Sequence, residues 1–259
     1  METWNRDQVL KSQYLPLWST LSFQAGFINS FGFLACGRYV SHVTGFGTQA
    51  GIALGQGNWA FAVEMFGTPF FFILGSLISG IYTAAQTSRK LVPRYDLVSG
   101  LFPALTLILI YFGLKGKFGP FGEDLLYFHD FVLLFSLSFA CGIQNACFTT
   151  LTNGLIRTTH LSGLSTDLGI DLSKTFFGTL SEPERKRLWK SNISRIFCFI
   201  SFTAGSILSI RVSENLKYLS LGVPLLSSTA VFLFTFHLQR QATRQTEGKS
   251  LRSPSWIPG

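Results

Sequence analysis

The chain has 259 residues, 47% of them hydrophobic and 13% charged, about half the charged share of an ordinary soluble domain. Its net charge of +8 comes without any Lys/Arg block interleaved with aromatics, which excludes nucleic acid as a partner. Twenty-seven phenylalanines and a mean hydropathy of +0.34 predict instead a chain that folds in a lipid bilayer.

Residues 1–16, with Glu2, Arg6, Asp7 and Lys11, lack the compact apolar region and small-residue site of a cleavable signal, so the first apolar run is expected to be an uncleaved anchor. Six runs of membrane-crossing length follow, at about 17–37, 62–84, 97–114, 131–152, 194–212 and 218–238. On this six-span reading only Arg38, Lys115, Lys117, Arg211 and Lys217 of the 21 basic residues fall on one side. The other sixteen mark the cytoplasmic side, and both termini share it. The expected location is the cell (inner) membrane, with the bilayer itself as partner. Glu182-Pro183-Glu184-Arg185-Lys186-Arg187 is expected to open a short surface helix on the cytoplasmic face, and 239–259 to form a flexible cytoplasmic tail. The four cysteines, Cys36, Cys141, Cys147 and Cys198, lie in or beside apolar runs without CxxC spacing and read as buried small hydrophobes.

Laid on itself, the chain repeats. AGFINS (25–30) matches CGIQNA (141–146) at Gly26/Gly142 and Asn29/Asn145, an offset of 116. After a two-residue insertion, HVTGFGTQAG (42–51) faces HLSGLSTDLG (160–169) with four identities in ten positions. An odd number of spans per copy makes the second copy enter from the opposite face. The expected fold is therefore an all-α integral membrane protein: one membrane domain of six transmembrane helices as two inverted three-helix repeats, 17–114 and 131–238. Each repeat carries a short, re-entrant-type helix, at 42–57 and 160–177; if both crossed the membrane, the count would be eight. Thr44 and Ser162 are the expected N-caps of these helices. Gly47, Gly51 and Gly55, spaced by four, predict a ridge that lets two backbones approach closely.

These segments, and above all RTTHLSGLSTDLG (157–169), resemble the YoaK-like family of uncharacterised multi-pass bacterial membrane proteins. The resemblance extends over about 15–240 and implies a multi-pass membrane location with no established activity. It departs at Asn29, where members of that family usually have Asp, and at Phe46, where they have Asn.

No HExxH, GxSxG or P-loop motif occurs, so no catalytic residue, metal or cofactor is expected. The leading reading is a small-solute permease. The alternatives are an intramembrane enzyme or a non-transporting structural or assembly protein. His42 and His160 hold equivalent places beside helix N-termini, where unpaired N–H groups favour an anionic or zwitterionic solute. Asn29 and Asn145 offer paired amides inside two spans. Thr44, Thr48, Ser162, Thr166 and Asp167 complete the candidate binding set. Asp167 stands opposite Gln49 in the first copy, so any coupling built on it is one-sided.

Overall fold

A computed structural model describes residues 6–89, 94–123, 125 and 128–250, and the side chains of 7–89, 94–123, 125 and 131–241. These residues are helices and loops, with no strand among them. After a short helix α1 (Arg6–Val9), α2 (Leu15–Cys36) starts with Pro16 in its first turn. It ends at Gly37, whose left-handed φ of 66° lets its N–H reach the Phe33 carbonyl. Next come α3 (Val43–Gly55), α4 (Trp59–Ser88) and α5 (Tyr95–Leu114). Asn58 caps α4 by accepting the Phe61 N–H at 3.2 Å. The second half holds α6 (Phe128–Leu151), α7 (Leu161–Phe177), α8 (Glu182–Leu216) and α9 (Gly222–Ser250).

Among the described residues, four helical runs are long and apolar enough to cross a membrane: Trp59–Ser88, Tyr95–Leu114, Phe131–Leu151 and Glu182–Gln241. The last contains both α8 and α9, joined by a 3-10 turn at Lys217–Leu221. Polarity is arranged as a hydrocarbon solvent requires. The outward face of α4 carries Phe66, Phe70, Ile73, Leu77 and Ile81, while Gln24, Gln144, Asp171 and Arg195 are buried inside. The four free cysteines are all buried.

The two most closely packed pairs run parallel: Asp7, ahead of α2, meets Arg187 and Gly26 meets Ser206 along α2 and α8, and Thr68 meets Ser138 and Ser76 meets Gly142 along α4 and α6. Trp18 packs on Phe148, and Gln24 bonds Gln144, so α2 and α6 run in opposite directions. The tightest crossings are α2 with α8 and α4 with α6. A Cβ on Gly26 would come well under 3 Å from the Phe202 carbonyl, and one on Gly205 equally close to that of Phe23. In the other pair, Gly142 meets the Phe72 carbonyl and Gly75 that of Phe139. Ser206 donates to the Gly26 carbonyl at 3.2 Å, and Ser76 to the Gly142 carbonyl at 3.1 Å. Gly26, Phe23 and their partners Gly142, Phe139 are 116 residues apart; Phe72, Gly75, Ser76 and Phe202, Gly205, Ser206 are 130 apart. Each contact in one pair thus has its counterpart in the other.

Three expectations need correction. The Gly47, Gly51, Gly55 ridge is exposed, and a Cβ at any of the three would meet nothing within 4 Å; close approach is made by the four glycines just described. The short helices start earlier than their hydroxyl residues indicate. His42 and His160 are the N-caps, because Val43 and Leu161 pack against the core as first helical residues. Glu182–Arg187 is no separate surface helix but the first turns of the 35-residue α8, opened by a Ser181–Glu184 capping box. As for the tail, α9 continues through Ser250, and 251–259 lie outside the described residues.

Candidate functional site

Because α2 and α6 are antiparallel, α3, which follows α2, and α7, which follows α6, lie at opposite ends of the bundle. Each is anchored alike. The Asn29 carbonyl oxygen accepts from the Ser41 N–H at 3.0 Å and its hydroxyl at 3.2 Å. The Asn145 oxygen accepts from the Thr159 hydroxyl at 3.0 Å, and Thr159 stands 118 residues after Ser41. The two asparagines therefore hold the turns that lead into the short helices, one at each end, and do not converge on one cavity. Thr48 and Thr166 hydroxyls donate to the carbonyls of Thr44 and Ser162 at 3.1 and 3.0 Å, and all four residues are exposed.

The ends differ in chemistry. At the α3 end a cleft of about 180 Å³ is lined by Arg38, Tyr39, His42 and Gln49 among others. His42 is exposed, with its ring edge-on to Tyr39 at 6.2 Å. At the α7 end a cleft of about 430 Å³, within the size range of small-molecule sites, is lined by Thr152, Asn153, Asp167, Asp171, Lys174 and Arg195 with flanking residues. Arg195 projects from α8 and is only 4% exposed. One of its terminal nitrogens donates to Asp171 at 2.6 Å and to Asn192 at 3.4 Å, and the other lies 3.7 Å from Asp167. Its Nε is buried without a partner among the described residues. Such a buried cation is tolerable only because Asp171, one helical turn beyond Asp167, neutralises it. His160 is half-buried against Phe72, with rings 5.5 Å apart. Burial, with Arg157 nearby, pushes its pKa below the usual histidine value, so the ring is neutral at pH 7.

Between the clefts the bundle is closed. Gln24 donates to Gln144 at 2.5 Å, and Ser227 donates to Gln24 at 3.1 Å. The hollow beside them holds about 10 Å³, at most one water.

Asp171, Lys174, Arg195 and the two glutamines are absent from the sequence-derived binding set. A charge two residues inside the apolar run that begins at Ile193 was a usable signal for Arg195, and amides inside two spans for Gln24 and Gln144. The counterparts of Asp167, Asp171 and Arg195 in the first half are Gln49, Ala53 and Met65, at offsets of 118, 118 and 130. Ala53 and Met65 are fully buried. The ionic set thus exists in one half alone.

Fold and clefts together define a multi-helix, apolar protein of membrane character with buried polar groups facing inward. A family model matches residues 17–235, and the chain belongs to that family, described as "Protein of unknown function (DUF1275)", a finding compatible with the YoaK-like resemblance. No curated protein and no solved structure matches it.

Proposed function

We propose that this protein is a six-span permease for small zwitterionic solutes in the cell membrane, with both termini cytoplasmic and two inverted three-helix repeats. The observation that carries the reading is the pair of clefts, one at each end of the antiparallel α2–α6 axis, with the Gln24–Gln144–Ser227 contacts shut between them. A permease that opens to one side at a time keeps a barrier between its two faces, and the Gln24–Gln144–Ser227 contacts would supply it. The repeat reading is supported by the paired crossings at Gly26/Gly205 and Gly142/Gly75.

The cleft beside α7 favours a zwitterion. Its lining balances Asp167 and Asp171 against Lys174 and Arg195. A simple anion would meet two carboxylates there, and a simple cation two cations. Asp171 is the close partner of Arg195 at 2.6 Å, while Asp167, 3.7 Å from Arg195 and 56% exposed, would take a solute's ammonium on its open side and Lys174 the carboxylate. His42 lines the opposite vestibule, with Thr44 and Thr48 exposed on the helix that follows it; His160, Ser162 and Thr166 shape the start of α7.

The test uses thermal unfolding of the detergent-purified protein with glycine, β-alanine, 5-aminopentanoate and glycine betaine, beside acetate and butylamine. At least one zwitterion should raise the midpoint by several degrees, beyond either singly charged compound. Asp167→Asn and Lys174→Gln should each remove that rise. A response to acetate as large as to any zwitterion sinks the zwitterion reading, as does silence across the panel. Uptake of the stabilising compound into proteoliposomes then separates a permease from a protein that only binds.

Topology is tested separately. Cysteines at Asn58→Cys and Lys117→Cys should label from outside, and those at Arg89→Cys and Arg187→Cys only from the cytoplasm. Background is low because the natural cysteines are buried. External labelling at position 89 would replace six spans by eight.

A further inference from the structure

The elbow where α7 hands over to α8 carries an exposed aromatic cluster. Phe177 is 90% exposed, Phe176 65% and Trp189 47%, and the three form one cluster, with Phe176 6.5 Å from Phe177 and 6.2 Å from Trp189. Beside them a cleft of about 350 Å³ is lined by Thr175, Phe176, Arg185, Lys186 and Trp189. Its lining holds two cations and no carboxylate. Neither Arg185 nor Lys186 has an ion-pair partner among the described residues. Of the neighbouring charges, Arg187 pairs with Asp7 at 2.9 Å and Glu184 folds back onto Ser181, while Glu182 and Lys190 are exposed.

Its position identifies what covers it. Trp189 precedes Ile193, where the apolar run of α8 begins, by one helical turn, or ~6 Å of rise. The cluster therefore sits where hydrocarbon gives way to headgroups, the depth at which amphipathic aromatic rings are favoured. Water is a poor neighbour for three such rings, and a basic cleft at that depth selects for negative headgroup charge.

We propose that this elbow binds an anionic phospholipid, its phosphate held by Arg185 and Lys186 and its glycerol and upper acyl region lying against Phe176, Phe177 and Trp189. The bound lipid would brace the short α7 against the long α8, beside the Asp171–Arg195 contact that joins the same two helices. The inference needs only a membrane location and is independent of what, if anything, the clefts transport.

The experiment compares the full chain in detergent with added dioleoyl-phosphatidylglycerol, dioleoyl-phosphatidylcholine or inorganic phosphate. Phosphatidylglycerol should raise the unfolding midpoint several degrees more than phosphatidylcholine, and salt should shrink the difference. The double variant Arg185→Gln/Lys186→Gln should lose the difference and keep the parent's midpoint in phosphatidylcholine. Native mass spectrometry of the parent, which needs no variant, should retain phosphatidylglycerol preferentially. Equal effects of the two lipids, or a difference that survives the double variant, overturn the proposal. A shift of the same size with inorganic phosphate overturns it too, since the site would then serve a free anion.

Discussion

Gly205→Ala should be among the most damaging single substitutions in this protein, while Gly51→Leu, a far larger change, should be borne with little loss. At Gly205 the new methyl group would be driven into the Phe23 carbonyl, and the obstacle is backbone, which cannot rotate aside. Either α2 and α8 separate, losing the packing that holds them, or the Ser206 bond to the Gly26 carbonyl breaks as well. Overpacking of this kind costs ~3 kcal/mol, the upper end of the usual range. Gly26, Gly142 and Gly75 occupy the same geometry and should behave alike. Gly51 faces open space, so a leucine there adds only outward apolar surface. Thermal unfolding in one detergent, with abundance in membranes as a second readout, checks the contrast. Similar losses at Gly51 and Gly205 would mean that α3 is covered by something outside the chain.

That contrast also marks where sequence reading works and where it stops. The long helices at Trp59–Ser88, Tyr95–Leu114 and Phe131–Leu151 and the apolar stretches within Glu182–Gln241 were legible because the composition of an apolar run does not depend on its neighbours. The short helices were legible through their repeat. Which glycines meet a backbone was not legible, because spacing by four marks a smooth helical face without saying what lies opposite it. Gly47, Gly51 and Gly55 have the spacing and no neighbour; Gly26, between Ser22 and Ser30, and Gly205, between Ser201 and Ser209, have small residues at the same spacing and the neighbour as well. The same limit explains the binding set. Asn29 and Asn145 match in sequence, yet the antiparallel arrangement of α2 and α6 sends them to opposite ends. Asp171 and Arg195 are 24 residues apart on different helices and become partners only through the turn at 178–181.

The first half of the chain supplies a control for that ion pair. Arg195→Met alone leaves the Asp171 carboxylate in a buried site without its main cation, and Asp171→Ala alone strands a guanidinium that is 4% exposed. Removing one partner of a buried pair costs ~3–5 kcal/mol, so either single variant should be poorly folded or scarce. The double variant Arg195→Met/Asp171→Ala recreates the residues at the equivalent places, Met65 and Ala53, both buried. Apolar replacements of a buried ion pair are often neutral or stabilising, so the double variant should recover most of the parent's midpoint. Asp167 stays half-exposed and needs no buried cation to remain charged. The recovery has a functional counterpart: the double variant removes one cation and one carboxylate and leaves Asp167 and Lys174, the two charges assigned to the solute, so the zwitterion-dependent rise in midpoint should persist in the refolded protein. A double-mutant cycle measures the coupling directly. If the two single losses simply add in the double variant, Asp171 and Arg195 are not energetic partners. If the double variant is stable but no longer answers to zwitterions, Asp171 and Arg195 hold the solute themselves and the assignment to Asp167 and Lys174 is wrong.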